Sequence, residues 1–557
     1  MNHNHWKNLF CVSFLSIYLL AAPVVGEKTT SQPASEPARV KITISRQTTY
    51  VLGPLNDDGT VNYLAAINEM YSKGVTPENN SAIPLIKALG PDVIDKSVRE
   101  QTFKMLKMRP LPKKGEYFQD LEDYEEAQTE KAGTKADPEA TERLLKKAMS
   151  APWSAKNYPL IADWLKANER PLALIIAASK RPRYYIPSLS PSKPPQIINV
   201  ILPSLGRFKS VAKALTARAM LRAGSGDVGA ARADLMAINR LARLIGQGPT
   251  LIDRLVAIGI EAFACYADTG LAISGKLTAA QAKAHLADLQ FLLPLSGIAD
   301  AINHGERFVS LDCNMLISRK GMQGLEALIS TLDEETDESA KSLPNQYLPL
   351  DWDLILTTMN QRYDRLVDAF RKPSFSERKQ ALIAFRQDLE KSKIRIANKI
   401  GSPEDWKQWE RELALSGKST AARREATETM ADLLVSILMP TLDRASEQYD
   451  CVIMWRQVAQ VALALAACKS DTGKYPAGLA ELSPKYLKQI PNDLFTERPM
   501  HYKRTGEGYL LYSVGPNMKD DGGKDRGDGK DCDDIVVKTK RDTETQRNRD
   551  KKIPSSP

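Results

Sequence analysis

Apolar residues recur with helical spacing through most of the chain after residue 140. Between residues 203 and 292 three segments show this spacing, and turns that contain glycine separate them. These segments predict three consecutive helices, at residues 206–222, 228–245 and 251–272. Residues 296–440 continue the pattern, and the charges of residues 371–428 alternate in sign, which is typical of a solvent-facing helix pair. The pattern predicts a mainly α fold with a body of helical hairpins.

The N-terminal part of the chain has a different pattern. Residues 40–53 alternate and are rich in β-branched side chains, which predicts one strand. Residues 61–73 predict an amphipathic helix that ends at Gly74, and a second helix is predicted to begin near residue 76 and to end before Gly90. We therefore expect a small α/β region here.

A proline-rich stretch interrupts the helical body. Residues 181–196 contain five prolines and predict irregular, partly extended chain. Tyr184 and Tyr185 lie inside this stretch. They either pack beneath the loop or line a groove, and packing is the simpler expectation.

Residues 451–537 change from helical to alternating spacing. A helix is predicted from about residue 441 to 470, with Gly473 as the residue that ends it. Residues 500–514 alternate on both sides of a turn and predict a β-hairpin. Residues 515–534 then carry seven aspartates and five glycines. The pattern predicts a small C-terminal α+β domain, in which a helix packs on a short antiparallel sheet.

The N-terminus has the order of a secretory signal peptide. One basic residue, Lys7, precedes an apolar run from Leu9 to Val25, and small residues follow it. We expect export to the periplasm or cell envelope, and contact with a membrane only if the signal stays uncleaved. Charges interrupt the later apolar runs, so no further membrane span is predicted.

Charge and cysteine usage exclude several classes of partner. The formal net charge is +9, but lysine and arginine are scattered among acidic residues and are not interleaved with aromatic ones, so no nucleic-acid partner is predicted. Five cysteines remain outside the signal, and an odd number implies at least one free thiol. The chain has no CxxC pair and no cysteine–histidine spacing typical of a zinc site.

Catalytic motifs are absent from the sequence. The chain contains no HExxH, no GxSxG, no GxxxxGK[ST] and no GxGxxG after a predicted strand. Asp300 and His304 have i, i+4 spacing with Glu306 nearby, which fits either a metal site or a surface Asp–His pair. We therefore predict a protein that is not an enzyme.

The C-terminal domain carries a distinctive order of motifs. The helix is followed by Asp-Thr-Gly-Lys-Tyr-Pro at 471–476, Ile-Pro-Asn-Asp at 490–493, Leu-Tyr-Ser-Val-Gly at 511–515 and Asp-Asp-Ile at 533–535. This order resembles the globular domain of the major pseudopilin of the type II secretion system. The resemblance implies a helix packed on an antiparallel sheet and a calcium-binding loop after the Leu-Tyr-Ser strand. The N-terminal part resembles exported bacterial proteins without an assigned activity, which implies no chemistry.

The resemblance also implies a set of calcium ligands. Many carboxylates packed closely repel one another unless a cation neutralises them, and Ca²⁺ accepts six to eight oxygen ligands in flexible geometry. The family usually has Asp where this chain has Asn517, and a carboxylate where it has Cys532. The ligands carried over are the carbonyl of Val514 and the side chains of Asn517 and Asp534. Either Asp531 or Asp533 is expected to substitute for the carboxylate missing at Cys532, and Asp521 is a further candidate ligand. Calcium here would be structural.

The resemblance stops at the N-terminus. Pseudopilins begin with a short basic leader and a long hydrophobic assembly helix, whereas this chain has an export signal and a helical body of several hundred residues. We therefore expect no filament assembly. The sequence predicts a non-enzymatic exported scaffold whose calcium-stabilised module contacts a protein partner in the envelope, with the secretion machinery as a candidate. The alternatives are a solute- or glycan-binding helical protein and an unrecognised hydrolase.

These predictions divide the chain into six parts. They are the signal peptide 1–26, a flexible leader 27–39, the N-terminal α/β region 40–140, the helical body 141–440, the pseudopilin-like calcium-loop domain 441–537 and a disordered basic tail 538–557.

Overall fold

The structure is a computed structural model, and it describes residues 41–192, 195–203, 205–325, 328, 348–400, 403–439 and 442–539. The predicted signal peptide, the leader and almost all of the tail lie outside the described residues. The helices are α1 Tyr63–Ser72, α2 Ala82–Leu89, α3 Arg99–Met105, α4 Leu121–Ala132, α5 Pro138–Ser150, α6 Pro159–Ala167, α7 Glu169–Ser179, α8 Leu205–Gly224, α9 Val228–Ile245, α10 Leu251–Ile273, α11 Ala279–Phe291, α12 Ile298–Ala301, α13 Arg307–Lys320, α14 Trp352–Phe370, α15 Phe375–Ile400, α16 Pro403–Leu415, α17 Thr420–Leu438 and α18 Asp443–Thr472. The strands are β1 His501–Thr505, β2 Gly508–Ser513 and β3 Ile535–Lys538. The chain is mainly helical with a small antiparallel sheet near its C-terminus, as predicted.

The strand predicted at residues 40–53 is wrong for the residues that the structure describes. Residues 45–50 form turns, and the amide of Thr49 donates to the carbonyl of Ser45 at 2.9 Å. The hydroxyl of Thr49 also donates to that carbonyl, at 2.9 Å, and the hydroxyls of Ser45 and Thr48 bond each other at 2.9 Å. These side chains satisfy the backbone locally, so the β-branched pattern yields a turn.

The helices of the body follow the prediction closely. The predicted range 228–245 coincides with α9, which begins after Asp227 because the carboxylate of Asp227 accepts from the amide of Ala230 at 3.0 Å. Helix α10 begins with a capping box, in which the hydroxyl of Thr250 and the carboxylate of Asp253 bond each other's backbone amides. Local signals of this kind fix where the helices begin.

Helices α10 and α18 are the apolar centre of the molecule. Both are long and apolar enough to cross a membrane, which the sequence analysis did not predict, but 89% and 72% of their apolar windows are buried inside the fold. Helix α10 packs against α8, α9 and α18, and α18 packs in addition against α11. Burial on this scale is typical of core helices.

The three strands form one antiparallel sheet in the order β1–β2–β3. Tyr502 pairs with Leu511, and Leu511 pairs with Val537. Tyr509, Leu511 and Ser513 of β2 are almost fully buried, and both β2 and β3 contact α18. The predicted hairpin and the predicted helix-on-sheet arrangement are therefore confirmed.

A buried polar network joins α18 to the body. The guanidinium of Arg456 donates to the carboxylate of Glu261 at 2.8 Å and lies 3.8 Å from that of Asp268. Arg243 also pairs with Glu261 at 2.8 Å, and His285 pairs with Asp268 at 2.8 Å. At most 1% of the Glu261, Asp268 and His285 side chains is exposed. A buried charge is strongly destabilising without a partner of opposite charge, so the network fixes the position of α18.

Candidate metal-binding loop

The loop of residues 514–534 connects β2 to β3, and a buried carboxylate outside the loop, that of Asp493, holds its first residue. Asp493 accepts from the amide of Val514 at 2.9 Å and from the amide of Phe495 at 2.8 Å, and only 1% of Asp493 is exposed. Val514 itself is buried at the end of β2. Asp493 lies in the Ile-Pro-Asn-Asp motif, but the sequence predicts no part for it in the site, because its partner lies 21 residues further along the chain.

Asp534 holds the middle of the loop against its end. Its carboxylate accepts from the amides of Gly523 at 2.8 Å and Asp521 at 3.4 Å. Its own amide donates to the carbonyl of Lys524 at 3.2 Å. Asp534 is 1% exposed, so this predicted ligand lies inside the loop.

Asp533 connects the end of the loop to its start. Its Oδ2 accepts from the amide of Asn517 at 3.1 Å, and its own amide donates to the carboxylate of Asp521 at 3.1 Å. Its Oδ1 is buried and has no hydrogen-bond partner among the described residues. Gly515 has φ +71, and a Cβ there would lie 2.3 Å from the carbonyl oxygen of Asp533, so the two ends of the loop approach as closely as glycine allows.

The side-chain amide of Asn517 lies between oxygens of the same loop. Its Nδ2 donates to the carboxylate of Asp521 at 3.1 Å and to the carbonyl of Asp531 at 3.3 Å. Its Oδ1 accepts from the amide of Lys519 at 2.7 Å. The amide hydrogens therefore supply positive charge at a place where the resemblance implies a cation. The Asp531 side chain is exposed, and only its carbonyl takes part in this arrangement.

The environment of the two carboxyls at the end of the loop, Asp533 and Asp534, disfavours their ionised form. The pKa values of Asp533 and of Asp534 are raised from an ordinary 3.8 to about 6, chiefly by burial, and the negative charge of Asp521 acts in the same direction. Hydrogen bonds from backbone amides oppose this effect without cancelling it. Near neutral pH the loop therefore holds ionised carboxylates that a proton or a cation would stabilise.

The donor set fits calcium in part. Asn517, Asp521, Asp533 and Asp534 are connected by direct hydrogen bonds, and oxygen atoms are the ligands that Ca²⁺ prefers. No three acidic, histidine or cysteine side chains converge at metal-binding distance among the described residues. A calcium ion would have to combine two carboxylates with carbonyl or amide oxygens, and Asn517 would have to turn its oxygen inward.

The loop also contacts the helical body. The ammonium of Lys379 in α15 donates to the carbonyl of Pro516 at 3.1 Å, and Arg526 pairs with Glu447 of α18 at 2.6 Å. The rings of Phe375 and Phe495 pack edge to face with centroids 4.8 Å apart. The loop is thus held by α15 and α18 as well as by the sheet.

The second cluster singled out in the sequence does not form a metal site. His304 bonds the hydroxyl of Tyr71 at 3.2 Å, whereas Asp300 pairs with Arg371 at 3.5 Å. Glu306 accepts from the amide of Leu251 at 3.4 Å. The three side chains point to three different partners, and His304 is half-buried instead of forming a surface pair with Asp300.

Comparison of the chain with known protein families, with curated proteins and with solved structures finds no match.

Proposed function

We propose that this chain is a non-enzymatic exported protein of the cell envelope, a helical scaffold that carries a calcium-stabilised, pseudopilin-like module for contact with a protein partner. The observation that carries the proposal is the set of carboxylates in the loop of residues 514–534. Asp533 and Asp534 have pKa values raised to about 6 and Asp533 keeps a buried oxygen without a described partner. Binding of calcium would relieve both features.

The sheet offers a surface for protein contact. Strand β1 lies at one edge of the sheet, and its side chains are mostly exposed. An exposed edge strand has unpaired backbone donors and acceptors that a partner strand can use. A partner in the envelope, with the secretion machinery as a candidate, is consistent with the expected export signal, and no membrane contact is proposed beyond an uncleaved signal.

The calcium proposal predicts a ligand-dependent melting temperature. At a calcium concentration about 100 times its Kd, binding adds roughly 2.7 kcal/mol, which corresponds to a rise in melting temperature of roughly 2–3 °C when the whole chain unfolds as one cooperative unit. Melting is measured by circular dichroism in Ca²⁺, in Mg²⁺ and in EDTA. An unchanged melting temperature in Ca²⁺ and EDTA would refute the calcium site.

The variant Asn517→Asp sharpens the same experiment. It restores the carboxylate that the resemblance implies and removes the amide that bonds Asp521 and Asp531. We expect a lower melting temperature in EDTA, because carboxylates repel, and a larger rise on adding Ca²⁺ than in the parent chain. A variant that melts like the parent in both conditions would contradict the assignment of position 517 to the site.

The cleft beneath the proline-rich stretch is too small to support the alternative of a solute- or glycan-binding protein. Tyr184 and Tyr185 are 5% and 9% exposed, and with Tyr71 and Asp253 they line a cleft in the helical body. The free space in this cleft is about 20 Å³, which holds about one water molecule. A sugar ring does not fit unless the proline-rich wall moves.

A further inference from the structure

A groove on the N-terminal part of the chain lies between α2 and the segment that follows α3. Its free volume is about 520 Å³, which is within the usual range for ligand sites of about 300–1,000 Å³. One wall contains Ile83 and Lys87, which lie one turn apart on α2, and the other wall is formed by residues 107–111. The groove is outside the calcium-loop module.

The floor of the groove is apolar. Ile83 is buried, and Met108 and Leu111 are half-buried. Prolines at positions 77 and 110 add further apolar surface to the lining. An occupant must therefore present apolar groups as well as polar ones to fill the groove.

The rim of the groove is cationic. Lys87, Lys107 and Arg109 are exposed, and none of them forms an ion pair with a described residue. Glu78 is the single acidic side chain of the lining, and nearby Arg181 and Lys107 contribute to lowering its pKa, after its hydrogen bonds to Thr76 and the backbone. The rim therefore has an excess of positive charge that attracts anions.

The wall beside α2 is held rigidly. The guanidinium of Arg181 donates to the carbonyls of Pro77 and Asn80, both at 2.8 Å. The amide of Ser81 donates to the carbonyl of Arg183 at 2.7 Å. The groove is thus preorganised, and binding need not order this part of the backbone.

Lys107 occupies a left-handed backbone position after a helix, where glycine is usually found. It follows the C-terminal turn of α3 with φ 54, and the amides of Lys107 and Met108 donate to the carbonyls of Lys104 and Phe103 at 3.1 and 2.8 Å. This is the Schellman arrangement, whose left-handed residue is most often glycine because a side chain is strained there. The chain therefore places a cation on the groove at a conformational cost, and such a cost is found most often at functional positions.

We propose that this groove binds an acidic peptide segment of a protein partner, with apolar side chains on the floor and carboxylates on the rim. Charge complementarity identifies the occupant as anionic, and the apolar floor selects a peptide over a free phosphate. The lining contains no aromatic ring for stacking nucleic-acid bases. A concave floor is also out of reach for the flat surface of a membrane. This assignment does not depend on the calcium loop.

The test uses the full chain and two fluorescein-labelled heptapeptides, EDLLEDE and its neutral counterpart QNLLQNQ, in fluorescence anisotropy titrations up to about 200 µM. We expect the acidic peptide to bind at roughly 50 mM salt and more weakly at roughly 300 mM. The double variant Lys107→Glu with Arg109→Glu should weaken binding at least about fivefold. The double variant Lys276→Glu with Lys391→Glu changes the net charge equally at exposed positions far along the chain and should leave binding unchanged.

Lys107→Gly separates binding from folding. Glycine relieves the strain at this position, so the variant should melt at the same temperature as the parent or higher while binding the acidic peptide about two- to fivefold more weakly. Equal affinity for the two peptides, or absence of binding, would overturn the proposal. A third outcome would also overturn it: the chain sediments with vesicles of equimolar phosphatidylcholine and phosphatidylglycerol, the rim substitutions abolish this sedimentation, and the peptide does not bind. The groove would then recognise lipid headgroups.

Discussion

At the scale of single residues, Asp533 and Asp534 join the two halves of the loop of residues 514–534. Both were predicted as ligands, and both lie at the end of the loop in contact with its other half. The clustering of aspartates and glycines was visible in the sequence because it is local. The role of the Asn517 amide was not, because the partner that a side chain selects depends on the folded path of the loop.

The half-buried carboxyl of Asp533, with its raised pKa, makes stability depend on pH. The folded pKa of Asp533 is about 6 and its ordinary value is 3.8, so the native state binds this proton more tightly than the unfolded state. The contribution to stability is complete below about pH 4 and is lost as the pH rises through 6. In EDTA, Asp533→Asn should therefore raise the melting temperature at pH 7 and have a smaller effect at pH 4.5.

The matched control for this prediction is Asp531→Asn. Its side chain is exposed in the same loop, so the substitution should change the melting temperature little at either pH. Melting curves of the three chains between pH 4.5 and pH 7 compare them directly. A loss of stability in Asp533→Asn at pH 7 without calcium would mean that the ionised carboxylate is stabilised by the loop as it stands.

At the scale of elements, helices were predicted more accurately than strands. Helix α18 was predicted at about 441–470 and is observed at Asp443–Thr472, because Gly473 ends it with a left-handed φ of 78. The strand predicted at residues 40–53 failed, since hydroxyl groups there bond the nearby backbone. The partners of Arg456 were beyond sequence reasoning, because Glu261 is 195 residues away.

Arg456 of α18 gives the prediction at this scale. Arg456→Met leaves Glu261 and Asp268 buried with fewer positive partners, and breaking a buried pair in this way costs about 3–5 kcal/mol. Urea unfolding measures the loss. The control is Arg386 of α15, which forms an exposed ion pair with Asp443 of α18 at 3.1 Å. Arg386→Met should lower the free energy of unfolding by less than about 1 kcal/mol.

A second substitution tests the reason for this loss. Arg456→Met leaves one arginine of the network, Arg243, against the two carboxylates of Glu261 and Asp268. Adding Glu261→Gln removes the excess negative charge and should recover part of the stability. Equal unfolding midpoints for Arg456→Met and Arg386→Met would show that the buried network contributes no more than a surface pair.

At the scale of the whole molecule, helix α18 is shared by the C-terminal domain and the helical body. Helix α18 carries the sheet of β1–β3 and also packs against α10 and α11 of the body. The sequence predicted the helix and the sheet, but their attachment to the body depends on apolar faces whose partners a periodic pattern does not specify. Among the described residues, the predicted boundary near residue 440 therefore separates elements that share a core.

This shared core predicts the result of truncation. A chain that ends at residue 439 lacks α18 and exposes the apolar faces of α10 and α11, so it should aggregate. Production of residues 442–557 in the same cell should return part of it to solution as a complex, measured by sedimentation velocity. A soluble truncated chain that melts cooperatively would instead show that the body is an independent folding unit.

The ion pair between Arg456 and Glu261 has a consequence for the order of folding. During synthesis Glu261 emerges 195 residues before its partner, so the body cannot complete its core until the last part of the chain has been made. Contacts of such long sequence separation slow folding and leave apolar surface open in the meantime. For the exported chain that we propose, such a delay would favour translocation before the core is complete.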